Sequence, residues 1–173
     1  MPPINLIQKR IANISVGSST VRGQPKETVK LARNYLSSID LQSFSNIRNI
    51  TQFQILLDKR TISLKEQIPS KSWGISRKVL NIFLFQVSHD ILLNRKYSLN
   101  GIIPYLELPL DNPNAKRLIK YARLKNIQLN WKNIYSLEPE TSKLFQDFAK
   151  QYAHYNFNCE RCYLDVYWWR SEE

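Results

Sequence analysis

SWGISRKVLNIFLFQVSHDILLNRKYSLNGIIPYLELPLDNPNAKRL, residues Ser72 to Leu118, is the stretch that decides how this chain is read. After a glycine turn at "SWG", the residues from Val79 to Leu93 are apolar almost all round, the mark of a helix buried in the middle of a domain. That helix is read from near Ser76 to about Arg95. Beyond it, the apolar run "LELPLD" leads to Asp111. Asp111 or Asn112 caps a further helix through about Leu124, with Pro113 suited to its first turn. One lysine, Lys78, thus stands at the start of the buried helix, and one aspartate, Asp111, at the start of the next.

Working outward, three more segments carry helical periodicity. "PKETVKLARNYLSSI" places Val29, Leu31, Ala32, Tyr35, Leu36 and Ile39 at helical spacing. A helix from Thr51 to Gln67 puts Phe53, Leu56, Leu57 and Leu64 on one side and stops at Ile68, because Pro69 follows. The last helix spans Glu138 to Tyr155. Residues 1–24 are read as an N-terminal arm and loop, the loop being "SVGSSTVRGQP". The tail "CYLDVYWWR" alternates weakly and is read as a short strand or an extended strap. These elements predict an all-α, compact helical domain over residues 1–173, with no repeats.

A chain of 173 residues with 43% hydrophobic content can bury a core without disulfide or metal staples. Its net charge of +11 calls for a polyanionic partner. Nucleic acid comes first, an anionic membrane surface second. No stretch of about 18 apolar residues occurs, so nothing is expected to span a bilayer. The N-terminus shows no secretory pattern, which makes a cytoplasmic location the expectation. No cofactor is implied, and the protein is expected to be a monomer.

Lys78 lies in the first turn of the buried helix, where desolvation, the positive end of the helix dipole and the neighbouring charge of Arg77 all disfavour its charged form. A lysine so placed is a nucleophile toward carbonyl carbons. By itself it reads as a surface cation on a phosphate at a helix start. Asp111 by itself reads as a plain N-cap, whose carboxylate the free N–H groups hold ionised.

Taken together they resemble something more specific. "GISRKVLN", Gly74 to Asn81, is similar to the second half of the hairpin in the helix-hairpin-helix DNA glycosylase superfamily, whose endonuclease III branch reads GVGRKTAN. "LPLD" resembles the "VD" motif that follows it there. The resemblance implies that Gly74 is the first hairpin glycine, that Lys78 is the catalytic lysine, and that Asp111 is the catalytic aspartate. Ser76 stands where the family has its second glycine. The 33-residue interval between Lys78 and Asp111 is similar to that of the archaeal 8-oxoguanine glycosylase branch.

The implied activity is base excision with abasic-site lyase chemistry on double-stranded DNA. A base in a duplex must be flipped out before it can be reached. That requires cations to hold the backbone, for which Lys71, Arg77, Lys78, Arg95, Lys96, Lys116, Arg117 and Lys120 are candidates. Rings to stack on the base could come from Trp73, Trp131, Tyr105 or Trp168. Arg22 or Gln24, on the Gly/Ser-rich loop, could fill the vacated gap. Gly74 and Ser76 would contact phosphate through the backbone.

Two other classes stay open. A non-catalytic DNA-binding module needs only the charge and the helical frame. A metal-dependent nuclease would need carboxylates such as Glu66, Asp90 and Glu107 to converge. His154, Cys159 and Cys162 fall short of a four-ligand zinc set, and His89, late in the buried helix, is read as a core histidine rather than the missing ligand. The two cysteines are read as buried thiols.

Overall fold

A computed structural model describes residues 3–169, and these are helical or loop throughout, with no strand among them. Helix α1 spans Ile4–Ser15, α2 Glu27–Ser37, α3 Gln42–Ser45, α4 Ile50–Gln67 and α5 Trp73–His89. After these come α6 at Ile91–Tyr97, a 3₁₀ turn at Leu99–Tyr105, α7 at Asn112–Arg123 and α8 at Pro139–Phe157. A 3₁₀ turn at Arg161–Tyr163 and the short α9 at Leu164–Trp168 close the described chain.

Four sequence expectations need correcting. The N-terminal arm is a helix: α1 buries Ile11 and Ala12 against α2. Its Gln8 is buried too, because the side-chain amide donates to Leu36 O at 3.0 Å and Ile39 O at 2.9 Å. Leu36 lies in the last turn of α2 and Ile39 just past its end, so a residue that looks polar in sequence ties down the end of a neighbouring helix. The long buried helix is two: Asp90 turns extended, and its carboxylate accepts from Leu92 N and Leu93 N, starting α6 afresh. The tail is neither strand nor strap but helical through Trp168; Arg170 lies outside the described residues, as do the first two residues of the arm.

The fourth correction concerns the hairpin. Gly74 does not sit in the turn between α4 and α5 but at the second position of α5 itself. The turn is made instead by Ile68, extended before Pro69, and by Lys71, which takes φ +51°. Ser72 then caps α5, its Oγ accepting from Ile75 N at 3.3 Å. Gly74 is needed for another reason: a Cβ there would lie 2.1 Å from Ile134 O and 2.8 Å from Leu137 Cβ. Its absence lets the loop before α8 lie directly on the first turn of α5. Gly74→Ala is therefore expected to lower stability by about 3 kcal/mol, read as a shifted denaturant midpoint, since backbone has to move to admit the methyl.

Two clusters of buried side chains organise the interior. The larger packs α1, α2 and α4 around Ile75, Val79, Leu80, Phe83, Leu84 and Val87 of α5. The smaller gathers Ala115, Leu118 and Ala122 of α7 with Phe145, Phe148 and Ala149 of α8, and is closed by Leu164 and Trp168. "LELPLD" runs extended between them, with Leu106 in the first cluster and Leu108 and Leu110 in the second.

A buried polar network seals this seam. The Gln146 amide pairs with both backbone groups of Leu108, at 3.0 and 2.8 Å. Arg161 donates to Leu106 O and Tyr105 O. Arg77 makes a two-pronged bond to Glu107, at 2.8 and 2.9 Å, and reaches Asp58 at 2.7 Å. The strand-like run is thus held by side chains rather than by a sheet partner, which satisfies its buried backbone groups. Among the described residues, no helix is long and apolar enough to cross a membrane.

Candidate functional site

At the end of that run Asp111 caps α7, its Oδ1 accepting from Asn114 N at 3.1 Å. This leaves Oδ2 free to face the other way, and it lies 3.3 Å from Lys78 Nζ. Lys78 stands in the second turn of α5, one turn later than its sequence position suggested. Its ammonium also donates to Thr20 O at 3.4 Å. Only 12% of the lysine side chain and 30% of the aspartate side chain are exposed. The pair sits on an open cleft whose walls include Thr20, Arg22, Ile75, Asn133 and Tyr135. Two residues distant in sequence are thereby in ion-pair contact, one end of the pair open to a ligand.

Arg77 does not share this cleft. Adjacent helical residues point about 100° apart, and Arg77 is directed into the seam with Glu107, Asp58 and the Thr61 hydroxyl. Burial alone would lower its affinity for a proton, but Glu107 and then Asp58 more than offset that and raise it. Burial pushes the Glu107 carboxyl up, while Arg77, Arg161 and Asn81 together outweigh it and hold the carboxyl below its ordinary range. Arg77 is thus already neutralised: it neither grips phosphate here nor acts as an uncompensated like charge on Lys78.

The other expected contacts divide in the same way. Ser76 is fully buried and donates to Ser72 O at 2.9 Å. Trp73 is buried beneath the Arg77 guanidinium, 5.1 Å from its ring centre, and has no open face for a base. Trp168 is buried in the smaller cluster with Tyr121 and the Arg117 guanidinium. Tyr105 packs on Phe53 and donates to Arg48 O. Trp131 stays near the pair, donating from its indole N–H to Asn112 Oδ1 at 2.8 Å.

Of the cations, Arg22 and Lys116 are exposed, the first on the wall of the cleft and the second on α7. Lys71 is exposed, and its ammonium donates to Glu66 O. Gln24 is half-buried, with an unpaired side-chain oxygen. Arg95 and Lys96 belong to the last turn of α6, beyond the far end of α5 from Lys78.

The metal candidates do not assemble. Among the described residues no three metal-ligating side chains converge. His89 is exposed rather than in the core, and its ring bonds Tyr163 Oη and Phe85 O, about 16 Å along the α5 axis from Lys78. Cys159 is half-buried and Cys162 buried, both free, and burial pushes both thiols up. Glu107 is committed to Arg77, Asp90 to its cap, and Glu66 is exposed near the end of α4.

Three residues at the site went unnoticed in sequence. Tyr135, half-exposed on the cleft wall, donates its hydroxyl to Arg22 O at 2.6 Å and so fixes the loop that carries Thr20. Gly23 beside it takes φ +80°, and a Cβ there would meet the Tyr135 hydroxyl at 2.6 Å. Asp165 of α9 accepts from the Asn114 side chain at 2.7 Å. An aromatic amid the polar "WKNIYSLEPE" was the one available signal for Tyr135; none marked Asp165.

Comparison of the chain with protein-family models, curated proteins and solved structures found no match in any of the three.

Proposed function

We propose that this protein is a DNA glycosylase with abasic-site lyase activity. The observation that carries the reading is the 3.3 Å approach of the Lys78 ammonium to a carboxylate 33 residues away, at the base of an open cleft. A carboxylate at that distance can take a proton from the ammonium and leave a neutral amine. The amine attacks C1′ of the damaged nucleotide as the base departs with the bonding pair and takes the proton that Asp111 holds; the proton the attacking nitrogen then gives up passes through the restored carboxylate to O4′ as the sugar ring opens to an iminium on Lys78. Loss of a C2′ proton then expels the 3′-phosphate and cuts the strand. Asp111, anionic and fixed by its cap, faces the positive charge that builds on the sugar and on the lysine.

The +11 charge supports a DNA partner, with Arg22 on the cleft wall and Lys116 exposed on α7 as cations available to it. Duplex with a flipped nucleotide is the substrate form, oxidised guanine the first base to test, and the protein acts as an intracellular monomer without a cofactor.

Borohydride trapping on duplex oligonucleotides bearing an abasic site or 8-oxoguanine tests this directly. A covalent protein–DNA adduct is the expected result. Tight, salt-dependent binding with no adduct would reduce the protein to a binding module and sink the lyase claim.

A further inference from the structure

The α7 N-terminus holds more than one carboxylate. Asn114 gives its backbone N–H to Asp111 Oδ1 and its side-chain amide to two acceptors, Pro109 O at 2.9 Å and Asp165 Oδ1 at 2.7 Å. Both amide protons are thereby used, so the amide cannot turn, and one residue fixes two aspartates from distant parts of the chain. Asp165 arrives on α9, which Arg117 of α7 holds through Trp168 O at 2.7 Å.

We propose that Asp165 is the third member of the Lys78–Asp111 site, a positioning residue that works through Asn114 and through its charge rather than by touching substrate. The inference rests on the proposed lysine chemistry for its purpose. The groups that face Asp165 are Asn114, Asp111 and Lys78. Burial pushes its carboxyl up, the Asn114 bond lowers it, Asp111 raises it and Lys78 lowers it.

These couplings are reciprocal. Lys78 is among the charges that act on Asp165, so the Asp165 charge acts on the Lys78 amine in turn. It also burdens the fold. A carboxyl raised in the folded state binds its proton more tightly there than when unfolded. The stability it contributes is present at low pH and lost as pH rises through the folded value.

The isosteric Asp165→Asn variant separates charge from position, because the new amide oxygen can still accept from Asn114. Two measurements on the full chain judge it. In the first, without DNA, lysines are reductively methylated with formaldehyde and cyanoborohydride, and each is followed by peptide mass spectrometry. Lys78 labelling is expected to rise about three- to tenfold in Asp165→Asn relative to exposed Lys9 and Lys59. Asp165→Glu, which restores a charge, should return it toward wild type. In the second, the pH profile of trapping on abasic duplex should move about half to one unit toward acid.

Asp165→Asn should also melt higher than wild type at pH 7 and alike near pH 3. Unchanged Lys78 labelling in Asp165→Asn, with Asp165→Ala merely unstable, would overturn the proposal and leave Asp165 a structural acceptor. If wild type forms no DNA adduct, the glycosylase reading falls, yet the labelling result still decides whether Asp165 governs the lysine.

Discussion

Lys78→Gln should abolish the borohydride-trapped adduct and slow strand cleavage on the order of a thousandfold or more, with DNA affinity changed by no more than a few-fold. Glutamine is close to lysine in length, keeps an N–H for Thr20 O and carries no nucleophile. The side chain is only 12% exposed, so it contributes little to the electrostatic grip on a polyanion. Activity and affinity should therefore part company. A lysine that served only as a phosphate contact would behave in the opposite way. Its loss would weaken binding uniformly across sequences and lower the salt slope by about one. An adduct that survives in Lys78→Gln would move the nucleophile elsewhere.

Asp111→Asn is the matched control. Asparagine caps a helix about as well as aspartate, so stability should hold while the charge facing the amine is lost. Trapping should slow on the order of a hundredfold, less than for the lysine, because a nucleophile remains. Asp111→Ala would add a loss of about 1 kcal/mol in stability, since Asn114 N loses its acceptor.

The largest effect on stability is expected from Arg77→Met. It leaves Glu107 fully buried and facing Arg161 and Asn81 without its two-pronged partner, at a cost of about 3–5 kcal/mol. Urea denaturation would show the midpoint fall, and the double variant Arg77→Met/Glu107→Leu should recover most of it, because no unpaired charge is then buried.

The pair also imposes an acid sensitivity. Glu107 binds its proton less readily folded than unfolded. The stability it contributes is present above the ordinary carboxylate range and is lost as pH falls toward the lowered folded value. Wild type should lose stability over that acid window, and the double variant should lose less. Because Glu107 lies four residues before Asp111 on the same extended run, a partial variant such as Arg77→Lys should disturb the site before the fold. The expected sign is slower trapping with a melting temperature only modestly lowered.

Much of this molecule could be read locally. Amphipathic spacing in "PKETVKLARNYLSSI" and in residues 51–67, proline stops and the Asp111 cap with Pro113 behind it are short-range signals, and the structure bears them out within a few residues. The errors came where a distant partner overrides the local pattern. Gln8 and Ser15 make α1 look polar, yet both are buried, Gln8 on the end of α2. Arg77 looks like a free cation until Glu107 and Asp58 are seen to hold it. Gly74 looks like a turn glycine, whereas its role is to admit the backbone of Ile134.

Local pattern alone yields an all-α chain of strong positive charge with a lysine near the start of its most buried helix and an aspartate at the start of a later one. That these two meet, that Arg77 is withdrawn from them, and that Thr20 and Tyr135 border them follows from packing. The difference is one of range. Helix periods and caps are set by neighbours within about four residues, while the site is set by where two packed clusters meet along a hydrogen-bonded seam. That meeting depends on shape and burial summed over the whole chain.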